Sequence, residues 1–262
     1  MMDNSAIYQH FRPEERPLID NLATLIAQAE NEYRPILTHF LDPRQCYIAN
    51  TLVKRNGGVK ISEQGAYPDA QRKRLIFYPP YYEVQASDFE IAILEINYPV
   101  KFATLKHNQV LGTLLNSGLN REVFGDIIHN QQRWQVVVQA NVAMYLINEV
   151  QKIGAIKVNL QQTQDVLQAT QIDWQKEQET VSSLRVDNVI AELYHISRKH
   201  AKELILAKKV QLNWMTLPRV DYELAQYDLI SVRGYGRIQI DEVLGMSKKG
   251  KIKLEVSILR KK

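Results

Sequence analysis

Apolar residues recur every three to four positions at Leu18, Leu22, Leu25, Ile26 and Ala29. That spacing predicts a helix opening at Pro17-Leu18-Ile19 with one buried face. A second helix or turn is expected from Arg34 to Leu41, stopped by Asp42-Pro43, and a short element from Cys46 to Val53, ended by Asn56-Gly57-Gly58. Val59–Ser62 and Leu75–Tyr78 read as strands, with the basic loop Arg72-Lys73-Arg74 between them.

From residue 81 the pattern sharpens. The branched apolar run Phe89–Ile96 predicts a strand, and Lys106–Ser117, with Val110, Leu111, Leu114 and Leu115, a helix stopped by Gly118. Asp126–Ile128 and Trp134–Gln139 are expected as strands about the turn Asn130–Gln132. A helix capped by Asn141 then runs to about Lys152, with Gly154 past its end, before a last strand, Ile156–Leu160. The order β-α-β-β-α-β is the signature of a ferredoxin-like, RNA-recognition-type sandwich, a fold that hosts many functions. The aromatic pair that stacks bases on such a sheet is not evident. Gln161–Thr180 is polar, with Trp174 as its one large anchor, and reads as a linker.

Past residue 180, Ser182 or Ser183 is expected to cap a helix carrying Leu184, Val186, Val189, Ile190 and Leu193 on one side. Ser197 caps a second, with Ala201, Leu204 and Ile205 inward and Arg198, Lys199, Lys202, Lys208 and Lys209 on the remaining surface. A strand pair at Val210–Trp214 and a closing strand at Asp228–Arg233 follow; Ile252–Leu259 is open between a further strand and a basic tail. The fold class expected is α+β. It comprises an N-terminal α/β region (1–80), the central β-α-β-β-α-β domain (81–165), a linker (166–180) and a C-terminal helix-pair domain (181–262).

Composition narrows the possibilities. With 45% hydrophobic and 24% charged residues among 262, the chain is ordinary for a globular protein. Its single cysteine, Cys46, excludes an internal disulfide framework and a cysteine-based zinc site, and fits a reducing cytosol. No signal-peptide pattern and no membrane-length apolar run is evident, so a soluble, cytoplasmic protein is expected. The net charge of +4 is unevenly spread. Residues 181–262 hold 16 Lys+Arg against 9 Asp+Glu, a net of +7, and residues 1–180 hold 17 against 20, a net of −3. A basic C-terminal third points to a polyanionic partner.

Candidate chemistry follows that imbalance. The N-terminus of the Ser197–Lys208 helix offers free N–H groups and the positive dipole end to a phosphate, and its cations supply salt-sensitive attraction. Arg185, Arg233 and Arg237 are expected to converge on the same face. Arg121, in a glycine-bracketed loop, has two roles open to it: a fork onto phosphate, or a salt bridge to Glu122 or Asp126. Arg72-Lys73-Arg74 is open between phosphate contact and plain solvation. His107 and His129 share no metal-ligand spacing with a carboxylate or thiol, and no metal or cofactor is expected.

Leu184-Arg185-Val186-Asp187, Ile196–Lys202, Val210–Asn213 and Tyr227–Gly234 together resemble the small RNA-binding domain first described in the fourth small-subunit ribosomal protein, the S-four domain. The resemblance implies binding to structured RNA, and by position implicates Arg185, Ser197, Arg198, Lys199, Lys202, Lys209, Asn213 and Arg233. It departs at Trp214, where the family usually has glycine; the turn must then be rebuilt, leaving Trp214 to pack or to offer a stacking ring. Leu119–Ile127, Arg233–Arg237 and Ser247–Ile252 extend the likeness to the bacterial YlmH proteins over essentially the whole chain. His107-Asn108-Gln109 departs from that family's pattern, in which an acid is expected after the histidine.

This second resemblance implies a non-enzymatic factor on the large ribosomal subunit, with rRNA and tRNA as partners, acting on stalled subunits that carry peptidyl-tRNA. No membrane partner is implied, and the N-terminal region is left open between RNA and protein contacts. Two other classes compete. An RNA-modifying enzyme anchored by the S-four domain requires a catalytic core in residues 1–170, where Asp126 is the only well-framed acid of the central domain and no base or nucleophile stands with it. A cell-division-linked scaffold would rely on the acidic N-terminal portion instead.

Overall fold

The computed structural model describes residues 8–9, 11–167, 174–217 and 219–261. The chain forms two compact units, residues 1–171 and 172–262.

In the first unit, helix α1 (Arg16–Asn31) buries Ile19, Leu22, Ile26 and Ala29, the face that the apolar spacing predicts. Arg34–Leu41, expected as a helix or turn, is instead strand β1 (Ile36–Leu41). Its Ile36 and Leu41 pack against the helices while Phe40 is buried elsewhere, so cross-strand burial decides the element. The segment ends at Leu41, as Asp42-Pro43 predicts, and the same pair also starts α2 (Pro43–Asn56). The Asp42 carboxylate accepts from the Gln45 N–H at 2.9 Å, the Gln45 side chain accepts from the Asp42 N–H at 2.9 Å, and Pro43 takes the first helical position. Strands β2 (Lys60–Gln64) and β3 (Lys73–Tyr78) complete an antiparallel sheet in the order β1-β3-β2, with α1 and α2 packed on one face.

The central region has strand β4 (Ile91–Asn97), helix α3 (His107–Leu115), strands β5 (Phe124–Asn130) and β6 (Arg133–Gln139), and helix α4 (Ala140–Glu149). A small hairpin, β7 (Lys152–Ile153) with β8 (Ile156–Lys157), leads to β9 (Asn159–Thr163). Asn141 lies inside α4; the capping position is Gln139. The antiparallel order β9-β4-β6-β5 is that of the expected ferredoxin-like sandwich, with α3 and α4 on one face over Leu94, Ile96, Val136 and Val138.

The other face of this sheet is not open. Phe40 packs there with Ile128, Val137 and Leu167, and Tyr67 and Ile91 close around them. Gly125 sits in the irregular stretch of β5, and a Cβ there would lie 2.9 Å from Val137 Cγ1 and 3.0 Å from Phe40 Cε1, so only glycine leaves the ring its place. Arg72 and Arg74 are buried in this layer rather than set on a basic loop. Arg72 donates to the Phe124 and Phe40 carbonyls at 2.9 and 2.8 Å. Arg74 donates to Thr38, Phe89 and Glu90 carbonyls at 2.8–2.9 Å. Burial holds Arg74 down to about 10, so it remains charged at neutral pH and its carbonyl partners satisfy it.

The second unit is a six-stranded antiparallel sheet with helices α5 (Val186–Leu193) and α6 (Arg198–Leu206) sharing its core. Its strands are β10 (Gln175–Val181), β11 (Val210–Leu212), β12 (Met215–Thr216), β13 (Leu229–Val232), β14 (Gly236–Met246) and β15 (Ile252–Arg260), in the order β10-β15-β14-β13-β11-β12. Part of the expected linker is thus strand β10, paired residue for residue with β15 from Gln175↔Ile258 to Val181↔Ile252; residues 168–173 of it lie outside the described residues. Its polar composition suits an edge strand whose side chains stand mostly in solvent. No serine caps α5: Arg185 holds that position, and Ser182 instead donates to the Asn188 side chain at 2.9 Å.

Gly125→Ala is expected to destabilise the first unit by about 1–3 kcal/mol, because the added methyl must displace Phe40 or Val137 from a close-packed layer. A urea unfolding series reads this directly, and an unchanged midpoint would contradict it.

Candidate nucleic-acid interface

Asp187, in the first turn of α5, is fully buried. Val186, Val189, Ile190 and Leu193 turn into the core, which holds Asp187 under the start of α6. Arg198 donates to it through Nε and Nη2 at 3.0 and 3.3 Å, and Arg185 through the same pair of nitrogens at 3.2 and 3.3 Å. Lys202 Nζ stands 3.8 Å away. Three of the expected cations therefore converge on one carboxylate. Burial alone would raise the Asp187 pKa; the hydrogen bonds from Arg185 and Arg198 outweigh it and hold the carboxyl below its ordinary range.

The arrangement both anchors and presents. A guanidinium carries five N–H donors. Each arginine spends Nε and one Nη2 hydrogen on Asp187, which leaves the rest of the fork for an acceptor outside. Arg198 and Lys202 are about half exposed and Arg185 about a third. Ser197 caps α6 by accepting from the His200 N–H at 3.1 Å, as expected, and Lys199 is exposed beside it. The group carries three positive charges against one negative, at the positive end of a helix dipole.

The remaining expected residues are elsewhere. Lys208 and Lys209 lie past the far end of α6, about 13 Å along a nine-residue helix. Lys208 takes a left-handed φ of 56° where helices usually use glycine. The Lys208 and Lys209 N–H groups donate to Ile205 and Leu204 carbonyls at 2.9 Å and close the helix. Arg233 is exposed at this end, its N–H donating to the Lys209 carbonyl at 2.9 Å. Arg237 departs from the expected convergence: Ile238 and Ile240 enter the core shared with the helices, so strand alternation sends Arg237 to the opposite sheet face.

Asn213 and Arg121 are engaged within the fold. Asn213 donates to buried Asp228 at 2.9 Å, and its side-chain oxygen accepts from the Leu229 N–H at 2.9 Å. Asn213 and Trp214 form a two-residue hairpin turn with φ of 47° and 66°, so the turn is kept despite the missing glycine, and Trp214 is half-buried. Arg121 Nη1 donates inward to the Phe124 carbonyl at 2.7 Å. Burial brings its pKa down to about 10, and no ion pair with Glu122 or Asp126 forms among the described residues. Asp126 accepts from the Tyr67 hydroxyl at 2.9 Å and the Gln71 N–H at 2.8 Å, which ties it into the covered sheet face.

The chain is similar to known proteins. Residues 84–166 match the family model described as "Putative RNA-binding domain in YlmH", and residues 14–82 match "YlmH, N-terminal". Over 248 residues the chain is 35% identical to the "Ribosome-associated protein quality control protein P2" of Bacillus subtilis (strain 168), spanning 94% of this chain and 96% of that protein. The chain belongs to the YlmH family. A solved structure, "Cell division protein ylmH from Streptococcus pneumoniae", is similar at 36% identity with a TM-score of 0.52, covering 60% of this chain and 94% of that one.

In this YlmH chain, sequence reasoning missed Asp187 as an organiser and the ring cluster beside α6. The Tyr235 ring lies 5.3 Å from that of Tyr194, and its hydroxyl is 3.0 Å from His200 Nε2, which joins α6 to the turn carrying Arg233. Gly236 permits that turn, since a Cβ there would fall 1.8 Å from the Leu259 carbonyl oxygen. One signal was available for Asp187: it is the acid in the first turn of α5, two residues from Arg185. Which cations meet it depends on how two helices cross.

Because the folded pKa of Asp187 is depressed, its contribution to stability is present above the ordinary value of 3.8 and is lost as pH falls through the folded value. Asp187→Asn is expected to cost about 1–3 kcal/mol at neutral pH, the scale of hydrogen bonds to a charged group. The difference from the parent should shrink as pH is lowered below 3.8. Urea midpoints of both proteins across that range measure it; a difference independent of pH would contradict the charged cluster.

Proposed function

We propose that this chain is a non-enzymatic factor that binds structured RNA, rRNA or tRNA, on the large ribosomal subunit and serves quality control of stalled subunits carrying peptidyl-tRNA. The observation that carries this reading is the Asp187 cluster, where a fully buried carboxylate fixes Arg185, Arg198 and Lys202 at the N-terminus of α6. Pre-ordered cations lose less side-chain entropy on meeting a phosphate than free ones, and arginine forks suit phosphate oxygens. The Bacillus subtilis relative is named for ribosome-associated quality control, and the model matching residues 84–166 is described as RNA-binding in YlmH; both support the reading.

Within it, residues 181–262 act as the RNA-docking domain and Ser197, Lys199, Lys208, Lys209 and Arg233 widen the footprint. The central domain, its sheet face covered by residues 1–80, offers RNA or protein its helical face and loops rather than a base-stacking sheet. Arg237 adds a charge on the opposite sheet face, and Arg121 and Asn213 support the fold from within. The enzymatic alternative finds little support in Asp126, whose carboxylate is held by Tyr67 and Gln71.

Co-sedimentation with separated ribosomal subunits across a salt series tests the proposal. The parent is expected to bind the large subunit with strong salt dependence. Arg198→Ala with Lys202→Ala should weaken binding and lower the log–log salt slope by roughly one unit for each phosphate that is no longer neutralised. No binding to the large subunit, or an unchanged slope in the double variant, would overturn it.

A further inference from the structure

A second cationic element lies well along the chain from the Asp187 cluster. Strand β14 is last paired to β13 at Gln239, Ile240 still exchanges backbone bonds with Tyr227 and Asp228, and from Glu242 to Met246 the strand pairs with β15. Glu242–Met246 is exposed throughout, including the apolar side chains Val243, Leu244 and Met246. The β14–β15 pairing shifts register twice, between Ile240 and Glu242 and between Val243 and Gly245, and Gly245 has a φ of 93°. Bulges and a glycine on an exposed edge work against the addition of another strand, so a peptide laid along this edge is a poor match.

The tip is ordered and basic. In Ser247-Lys248-Lys249-Gly250-Lys251, the Ser247 N–H donates to the Lys251 carbonyl at 2.6 Å, the Gly250 N–H to the Ser247 carbonyl at 3.0 Å, and the Lys251 N–H to Ser247 Oγ at 3.0 Å. Lys248, Lys249, Lys251 and Lys253 are all exposed, and none makes an ion pair among the described residues. From Val243 to Leu254 the sequence has these four lysines and no acid. The Asp187 cluster, by contrast, spends one negative charge on three cations.

We infer that the β14–β15 tip is a second RNA contact, a grip on the ribose-phosphate backbone that does not read bases; the inference rests on the RNA-binding reading above. Lysine ammonium groups on flexible stems act as hydrated point charges, which suits phosphates met at variable positions and not the planar fork needed at a fixed one. The division of labour is a pre-ordered arginine cluster for placement and a projecting lysine tip for reach.

The test uses the full chain with Lys248, Lys249 and Lys251 each changed to Gln. A charge-matched control carries Lys101, Lys152 and Lys157 changed to Gln, three exposed lysines of the central region. The probe is rRNA extracted from the large subunit, titrated by filter binding across a salt series, with thermal unfolding of each variant to confirm folding. The tip variant is expected to lower the log–log slope by about two units and to bind about tenfold more weakly at low salt, the control far less. Equal behaviour of tip variant and control overturns the inference. So does a tip effect seen only on phosphatidylglycerol vesicles, which would assign the lysines and exposed apolar residues to an anionic lipid surface. Loss of binding in the Arg198/Lys202 variant alone would leave the proposed function standing without the tip. Parent protein that binds the extracted rRNA but not large subunits would fail the ribosomal reading, and the tip comparison would still be decided on the rRNA.

Discussion

A carboxylate removed from water must be matched by charge and hydrogen bonds, or it costs several kcal/mol. Asp187 meets that requirement by drawing two arginine forks and one lysine onto itself, and the start of α6 is held against the start of α5 in doing so. The basic surface of the second unit is thus not a scatter of solvated side chains. Its central members are held in place from below, and their outward hydrogens are aimed by a group that never reaches the surface. The sheet beneath, from β10 through β15 and β14 to β13, supplies the rigid floor on which both helices rest.

The first unit solves a related problem differently. Strand and loop carbonyls accept from the buried Arg72 and Arg74, and the Glu90 carboxylate stands 4.0 Å from Arg74. The two arginines join the N-terminal sheet to the central one where Phe40 enters the space that Gly125 leaves open. A ferredoxin-like sheet in isolation would present that face to a ligand. Here it is core, and its uses pass to the helices and loops around it. Charge counted along the sequence therefore overstates what the first unit can offer a polyanion, since some of its arginines are structural.

The order of elements was legible wherever periodicity was strong. Helix α1, the β-α-β-β-α-β order and both helices of the second unit follow from apolar spacing, and Ser197 is where a cap belongs. Reading failed where a local signal has two meanings. Asp42-Pro43 both closes one element and opens the next: β1 ends at Leu41, and the capping box with Gln45 starts α2. Ile36–Leu41 carries too few residues to separate helical from strand spacing, and pairing with β3 settles it. Gln175–Val181 has a linker's composition because an edge strand needs few apolar side chains.

By itself the sequence determined that this is an α+β chain with a basic C-terminal third, that its cations gather on a serine-capped helix, and that its motifs are those of the YlmH family. The first two are properties of propensity, spacing and charge along the chain, and the third is a resemblance carried by motifs. Only the tertiary structure decided that Asp187 gathers Arg185, Arg198 and Lys202, that Arg237 lies on the other sheet face, that Arg121 and Asn213 are spent on the fold, and that the central sheet is covered. Each depends on which elements pack together, and burial, hydrogen-bond satisfaction and strand alternation act only once that packing exists.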